Sequence, residues 1–207
     1  VQVPGSVRSA VVQKEALKAL QGKVANADVS WQPYGTGPMI GDGEDFPEVN
    51  GQGFSNLSGR ADQFAFDALN KRLFVAIGNG GIWMSTAPAG DISQIGTTAA
   101  PWVSVSDRLP TLVTSGVCWT TAGGRASDGD LAGTLIALTG EHSQGGNTYV
   151  GLGAYWSNDL GATWNHASGV PDGALGFKVE AVRRNPQVRY VATGRGLYRS
   201  ADAGRSY

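Results

Sequence analysis

Two ten-residue segments of this sequence share one pattern of aromatic, hydroxyl, acidic and glycine residues. Residues 155–164 read Tyr-Trp-Ser-Asn-Asp-Leu-Gly-Ala-Thr-Trp, and residues 198–207 read Tyr-Arg-Ser-Ala-Asp-Ala-Gly-Arg-Ser-Tyr. Ser and Asp side chains bond to the backbone of tight turns, and glycine supplies the positive φ that such turns require. Each segment therefore predicts a hairpin, which we call a Ser-Asp-Gly turn. The residues that define the two turns are Ser157, Asp159, Gly161 and Trp164, and Ser200, Asp202, Gly204 and Tyr207.

Short apolar segments separated by turn residues surround these two hairpins and recur three times along the chain. A degenerate third copy of the motif begins at Ile82, where an insertion running to Trp102 replaces the turn. The same order of strands and turns occurs three times, which indicates an internal repeat. The predicted strands are 62–67, 72–78, 81–85 and 101–105, then 114–120, 134–139, 149–157 and one at Trp164, then 177–184, 188–193, 196–200 and one at Tyr207.

The composition excludes several classes of protein. The 207 residues carry a net charge of -1, so the basic surface typical of nucleic-acid binding is missing. No apolar run reaches the roughly 18 residues of a membrane-spanning helix. The single cysteine, Cys118, excludes a disulfide within the chain, and its flanking residues predict a buried, inert thiol.

The first part of the chain lacks the repeated pattern. Residues 6–22 are predicted to form a helix, because Ser6 can cap its start, apolar residues recur on one face, and Gly22 follows its end. Residues 26–58 are rich in Gly and Pro and predict an irregular segment. Within it, Asp42, Glu44, Asp45 and Glu48 form an acidic cluster that either binds Ca²⁺ through its oxygens or is simply solvated.

The two Ser-Asp-Gly turns resemble the Asp-boxes, or BNR repeats, of β-propellers such as sialidases, xyloglucanase-like glycoside hydrolases and sortilin-type receptors. Ser58-Gly59-Arg60 and Gly80-Gly81-Ile82-Trp83 resemble the opening blade of the xyloglucanase-like group. The resemblance implies an all-β fold of four-stranded blades in a ring of roughly 6–10 blades. The resemblance covers about residues 55–207. Together with the helix and the irregular segment predicted above, it gives three segments: an N-terminal helical segment at 1–25, a lead-in at 26–58, and a partial propeller at 59–207. The blades would be about 59–105, 114–168 and an incomplete 177–207.

The resemblance also implies a position for catalysis. A xyloglucanase-like enzyme uses two carboxylates as general acid and base, and its first catalytic Asp precedes a Gly-Gly pair in the first blade. The matching position here is Gly78, so that carboxylate is missing. The Phe/Tyr-Arg-Ile-Pro signature of sialidases is also missing.

Other side chains are candidates for the site on their own chemistry. Glu141 and His142 follow a predicted strand, as an acid–base pair for catalysis or as a solvated pair at the end of a loop. The binding candidates are Arg60, Trp119 and Glu180. Trp119 either stacks on sugars or packs in the core, and Glu180 is either a buried, paired carboxylate or a residue of a cleft.

Together these features predict a secreted or periplasmic hydrolase that acts on a polymer, a polysaccharide in the first instance. Since about three blades do not close a ring and the last turn stops at Tyr207, we expect a second chain of the same precursor to complete the propeller and share the site. A non-catalytic propeller that binds a glycan or a protein is the alternative, because the expected Asp is missing at Gly78.

Overall fold

The computed structural model describes residues 59–124, 133–143 and 148–207. Within these ranges the chain is almost entirely β-structure, with two short 3₁₀ helices at Pro88–Gly90 and Ile92–Gln94. The strands are β1 Ala61–Asp67, β2 Arg72–Ile77, β3 Gly81–Thr86, β4 Val103–Ser104, β5 Thr114–Thr120, β6 Thr134–Thr139, β7 Ala154–Ser157, β8 Asn165–His166, β9 Gly176–Val182, β10 Asn185–Thr193 and β11 Gly196–Ser200. No helix in the described ranges has the length and apolar character to cross a membrane.

The strands form three antiparallel sheets in chain order: β1 to β4, β5 to β8, and β9 to β11. Each sheet is a meander, in which every strand pairs with the next one along the chain. The first strands of neighbouring sheets contact each other, β1 with β5 and β5 with β9. Sheets that pack face to face with their first strands side by side are the blades of a propeller. The predicted all-β fold with partial propeller blades is therefore confirmed, and the third sheet has three strands in the described ranges.

Two apolar layers hold the three blades together. Between the first and second blades, the ring of Phe74 stacks on Trp119 with centroids 5.6 Å apart. Between the second and third blades, Ile136 and Leu138 pack against Val179 and Val191, all of them fully buried. Because β5 and β6 are buried on both faces, the second blade is the centre of the described structure.

The predicted strands agree best with the structure at the centre of the blades. The segments 114–120, 134–139 and 196–200 are strands over those residues. The predicted strand at 149–157 is regular only in Ala154–Ser157, because Tyr149 and Leu152 form isolated bridges to other segments instead. The predicted helix at 6–22, the lead-in, and the candidate Ca²⁺ residues Asp42, Glu44 and Asp45 lie outside the described residues.

Each Ser-Asp-Gly turn connects the third strand of a blade to the segment that follows it. In the second blade, Ser157 Oγ accepts a bond from the Gly161 amide at 2.8 Å, and Asp159 accepts from the Thr163 amide at 2.8 Å and its hydroxyl at 2.6 Å. The third blade repeats this pattern from Ser200 to Ser206, with the Gly204 amide 2.9 Å from Ser200 Oγ. These side chains satisfy backbone amides that the turns leave unpaired.

The first blade keeps part of this arrangement in spite of its insertion. Ser85 Oγ accepts a bond from the Gly96 amide at 3.1 Å, and Gly96 has a φ of +78°. The sequence did not reveal this match, because eleven positions separate Ser85 from Gly96 whereas four separate the equivalent pairs. The Ser–Gly bond is thus present in all three blades.

Candidate functional site

A cluster of three charged side chains lies at the end of the blades where β1 begins and β6 ends. Arg60 precedes β1, and its guanidinium donates from Nε to Asp62 Oδ1 at 2.5 Å and from Nη2 to Asp62 Oδ2 at 3.2 Å. The same Nη2 donates to Glu141 Oε2 of the second blade. These bonds, first to Asp62 and then to Glu141, raise the pKa of the Arg60 guanidinium. One cation therefore joins two blades and holds two carboxylates.

The exposure of the three groups differs. The Glu141 side chain is 1% exposed, the Asp62 side chain 13%, and the Arg60 side chain 44%. A buried carboxylate is costly unless it is paired, and Arg60 supplies that pairing for Glu141. With two acids and one base, the cluster has a formal charge of -1, and Arg60 and Asp62 are the members that a ligand can reach.

Gly78 leaves room for this cluster. A Cβ atom at residue 78 would lie 3.0 Å from Arg60 Nη2 and 3.0 Å from Asp62 Oδ2. The space that a side chain at residue 78 would enter is therefore filled by the ion pair of Arg60 and Asp62. No carboxylate stands at position 78, and that of Asp62 lies next to it, on the neighbouring strand.

His142 follows Glu141 in the chain but its side chain has different neighbours. Its Nδ1 lies 3.2 Å from the Gly176 carbonyl oxygen, and its ring packs against Phe177 with centroids 4.4 Å apart. Glu141 bonds to the first blade and His142 contacts the third, so no described contact joins the two side chains. His142 is exposed, which leaves its imidazole accessible to solvent and to a ligand.

A groove of about 340 Å³ lies along the first strands of the three blades, and the side chains of the charged cluster are not part of its lining. Its walls come from Gln63–Phe66 of β1, Val117–Thr120 of β5, and Glu180–Arg183 with Pro186 of the third blade. Trp119 lines this groove but is 8% exposed and stacked on Phe74, so most of its surface serves the core. Glu180 is exposed and forms an ion pair with Lys178 at 2.9 Å, so it is not the buried carboxylate that was one of its two interpretations.

Phe66, 46% exposed at the groove, was not singled out from the sequence. Phe64 and Phe66 alternate with Gln63 and Ala65 along β1, which places the two rings on one face of the strand. That alternation was readable in the sequence. The identity of the solvent-exposed face was not, because it depends on where the second blade packs.

Cys118 is the free thiol of the chain and is buried between the second and third blades, as predicted. Burial raises the pKa of this thiol, which the nearby Arg189 lowers in part. A protonated, buried thiol is a poor nucleophile. Cys118 therefore does not belong to the candidate site.

Comparisons with known proteins find similarity at the level of structure, with eleven matching chains. No protein-family model matches this chain, and no curated protein matches it. Among solved structures it is similar to the crystal structure of an ancestral GH74 enzyme, with a TM-score of 0.41 and 15% sequence identity. The match covers 87% of this chain and 25% of the other, so the chain spans about a quarter of the length of that protein.

Proposed function

We propose that this chain is part of an Asp-box propeller that hydrolyses a polysaccharide at the cluster of Arg60, Asp62 and Glu141. The observation that carries the proposal is that two carboxylates from two blades accept bonds from one nitrogen, Arg60 Nη2, beside the space at Gly78. Hydrolysis of a glycosidic bond needs an acid and a base beside that bond, most often two carboxyl groups, and we assign these roles to Asp62 and His142, with Glu141 fixing Arg60. The groove along the first strands, with Phe66 and Glu180 in its walls, supports a chain-like ligand.

Each member of the site has a distinct proposed role. Asp62 is the carboxylate that meets the substrate, since it is partly exposed and faces the space at Gly78. Glu141 is buried and acts through Arg60, whose position it fixes from the second blade. His142 is exposed at the same end of the blades and is the group to which we assign proton exchange with the substrate.

We propose that a second chain of the same precursor completes the ring of blades and the site. We also propose that the protein acts outside the cytoplasm, where it would encounter polysaccharides. An apolar groove on the face of the first blade that turns away from the second supports such a partner. This groove, of about 360 Å³, is lined by Gly59, Ala61, Phe64, Val75, Ile77, Trp83 and Trp102. Sedimentation of the protein purified with its native partners tests this part: a lone 21.5 kDa species would contradict it.

The test of hydrolysis is the release of new reducing ends from a panel of neutral and charged polysaccharides. With Asp62→Asn, we expect the rate to fall by roughly 10²–10⁴-fold, the usual contribution of a catalytic acid or base. Asp107→Asn is the matched control, because Asp107 is an exposed acid that accepts a bond from Ser104 on the outer strand. Equal rates for Asp62→Asn and the wild type would contradict the proposed site.

A non-catalytic propeller that binds a glycan or a protein remains the second candidate, and the missing carboxylate at Gly78 favours it. Its signature is retention on an immobilised polysaccharide with no reducing ends released over the same period. In that case Asp62→Asn would change the retention on the polysaccharide, and neither the wild type nor the variant would release reducing ends. The same two assays thus separate binding from hydrolysis.

A further inference from the structure

One end of the groove along the first strands carries a group of hydrogen-bond donors. Phe66 and Thr120 line the groove near the ends of β1 and β5, and Arg183 lines it just after β9. The two bonds between Gln63 and Val179 hold β1 and β9 side by side at one level. Phe66 and Arg183 follow that level by three and four residues, so they lie at the same end of the groove.

A cation without a carboxylate partner lies behind this end of the groove. The Arg189 side chain is fully buried, and its Nη2 donates to Thr120 Oγ1 at 2.6 Å. Its Nη1 lies 3.9 Å from Cys118 Sγ, and burial raises the pKa of that thiol, which therefore carries no charge near neutral pH. Arg189 Nε has no hydrogen-bond partner among the described residues. Since arginine keeps its proton, these contacts leave the positive charge of Arg189 without a neutralising anion.

The hydroxyl group of Thr120 connects this buried charge to the groove. Its Oγ1 accepts two bonds, one from Arg189 and one from the Ala122 amide at 3.3 Å. A threonine hydroxyl has two lone pairs and one hydrogen, so these bonds leave the hydrogen to donate to a ligand in the groove. A cation bonded to the oxygen strengthens such a donor.

Arg183 is the second donor at this end. Its side chain is exposed, and the described structure gives it no hydrogen bond or ion pair. Glu180, the acid in the same wall, is bonded to Lys178 at 2.9 Å instead. The planar guanidinium of an arginine matches the two oxygens of a carboxylate. Phe66 is 46% exposed and adds an apolar surface on which the face of a sugar ring can pack.

We propose that this end of the groove binds a carboxylate of the polymer, so that the substrate is an acidic polysaccharide built of uronate sugars. Arg183 and the Thr120 hydroxyl donate to the carboxylate, and the charge of Arg189 attracts it from behind the wall. The inference rests on the proposed function and adds to it a subsite that determines specificity.

The negative charge of the proposed catalytic cluster does not oppose this binding. Phe66 follows Asp62 by four residues along β1, which is roughly 13 Å at a rise of about 3.3 Å per residue. Charges in water are largely screened beyond about 8 Å at physiological ionic strength. The carboxylate and the cluster can therefore bind different sugars of one chain.

The experiment measures the retention of the full chain in native gels that contain polygalacturonate, alginate or hyaluronate, each compared with its carboxyl-reduced form. The two forms of a polymer share a backbone and differ in charge. We expect at least one acidic polymer to bind about tenfold or more tightly than its reduced form, because hydrogen bonds to a charged group are lost on reduction. This preference should weaken as the salt concentration rises. The release of reducing ends is measured on the same pairs of polymers.

Two arginine variants locate the subsite. Arg183→Gln should bind the preferred acidic polymer at least about tenfold more weakly and its reduced form as the wild type does. Arg199→Gln is the matched control, because Arg199 is an exposed arginine on β11 of the same blade and is outside the lining of the groove. We expect the control to stay within about twofold of the wild type, since one distant surface charge contributes little. Both side chains are exposed, so both variants should keep the wild-type Tm.

Three outcomes would overturn the proposal: no binding to any of the acidic polymers, binding to the reduced forms that is equal or tighter, or equal losses in Arg183→Gln and Arg199→Gln. Cleavage of a reduced polymer but of no acidic one would contradict the subsite and support the proposed hydrolysis. Retention of an acidic polymer through Arg183 without new reducing ends would support the subsite and contradict hydrolysis. The failure of one proposal is thus distinguishable from the failure of the other.

Discussion

The carboxylate of Asp202 shows how a single residue of the Ser-Asp-Gly turn contributes to stability. Burial alone would raise its pKa, but bonds from the hydroxyl and amide of Ser206, from Ser200 and from the Arg205 amide lower the pKa to about 2. A carboxyl group with a depressed pKa stabilises the folded state above its unfolded pKa of about 3.9, and this contribution is lost as the pH falls toward 2.

Replacing Asp202 by Asn tests this contribution. We expect Asp202→Asn to lower the free energy of unfolding by about 1–2 kcal/mol at pH 7, because the charge-assisted bonds are weakened. The difference from the wild type should shrink between pH 4 and pH 2, since protonation of Asp202 removes the same charge. Urea unfolding at several pH values measures both effects.

The control for this variant is Glu180→Gln. Glu180 is an exposed acid of the same blade that pairs with Lys178, and exposed ion pairs contribute little. We expect a change below about 0.5 kcal/mol at any pH. A pH-independent loss in Asp202→Asn would show that the turn depends on the shape of the side chain and not on its charge.

At the scale of the elements, the turns also fix the spacing between neighbouring blades. Gly161 has a φ of +86°, and a Cβ atom there would lie 1.9 Å from the Val105 carbonyl oxygen of the first blade. The indole nitrogen of Trp164 donates to the same carbonyl at 3.0 Å. The turn of the second blade therefore packs against the residue that follows the last strand of the first blade, through backbone atoms.

Gly161→Ala and Gly90→Ala separate this packing from backbone strain. Gly90 has a similar φ of +79°, but its nearest neighbour to a new Cβ is Lys71 Cγ at 3.9 Å. Both variants carry the strain of a left-handed alanine, about 1–2 kcal/mol. We expect Gly161→Ala to lose roughly 1–3 kcal/mol more because of the clash with Val105. Equal losses in thermal unfolding would show that the blades separate freely at this point.

A second link between elements runs from β1 of the first blade to β9 of the third. The Gln63 amide donates to the Val179 carbonyl at 2.7 Å and accepts from the Val179 amide at 3.2 Å. It passes over Gly116 of the second blade, where a Cβ atom would lie 3.1 Å from Gln63 Oε1. One side chain thus satisfies both backbone groups of a residue two blades away.

Removing this side chain should weaken the association of the blades. We expect Gln63→Ala to lower the free energy of unfolding by about 1–3 kcal/mol, because it leaves the Val179 amide and carbonyl without partners. Amide exchange of Val179 should accelerate more than that of Val191, which keeps its ladder bonds within the sheet. Gln94→Ala is the control, because Gln94 ends the second 3₁₀ helix and its side chain bonds to Asp91 and Thr97, which are close to it in the chain. An unchanged exchange rate at Val179 would contradict the link.

The inner strands of the blades were predictable from local sequence pattern, but the short outer strands β4 and β8 were predictable only in part. β5 and β6 combine apolar, β-branched residues with flanking turns, and this pattern alone defined their limits. β4 and β8 are two residues long, and their length depends on pairing with one neighbour rather than on their own sequence. The predicted strand at 101–105 was too long for this reason.

At the scale of the whole molecule, the candidate site depends on contacts that no local pattern reveals. Arg60 and Glu141 were candidates from the sequence, but 81 positions separate them, and their bond exists only because two blades pack together. Asp62 was read as the start of a strand, and its place beside Gly78 follows from the pairing of β1 with β2. The glycine at residue 78 thus has a physical explanation, because a Cβ atom there would meet Arg60 Nη2 and Asp62 Oδ2.

The face of the first blade that turns away from the second blade is apolar and can bind another protein surface. Phe64 is 56% exposed, opposite Val75, which in turn lies opposite Trp83 on β3. The other face of the sheet is buried against the second blade. A contiguous apolar face on a soluble protein marks a surface that another body covers. The free face of the third blade differs, because Lys178 and Glu180 place charges on it.

We therefore expect the isolated chain to self-associate through the first blade as its concentration rises. Phe64→Glu should shift the chain toward monomer in sedimentation velocity without lowering Tm, because an exposed ring contributes little to the fold. Leu197→Glu is the matched control, since Leu197 is 69% exposed on the third blade and the variant should associate like the wild type. Equal association of Phe64→Glu and the wild type would show that the chain does not associate through the first blade. The strongest physical support for a second chain that completes the ring of blades would then be lost.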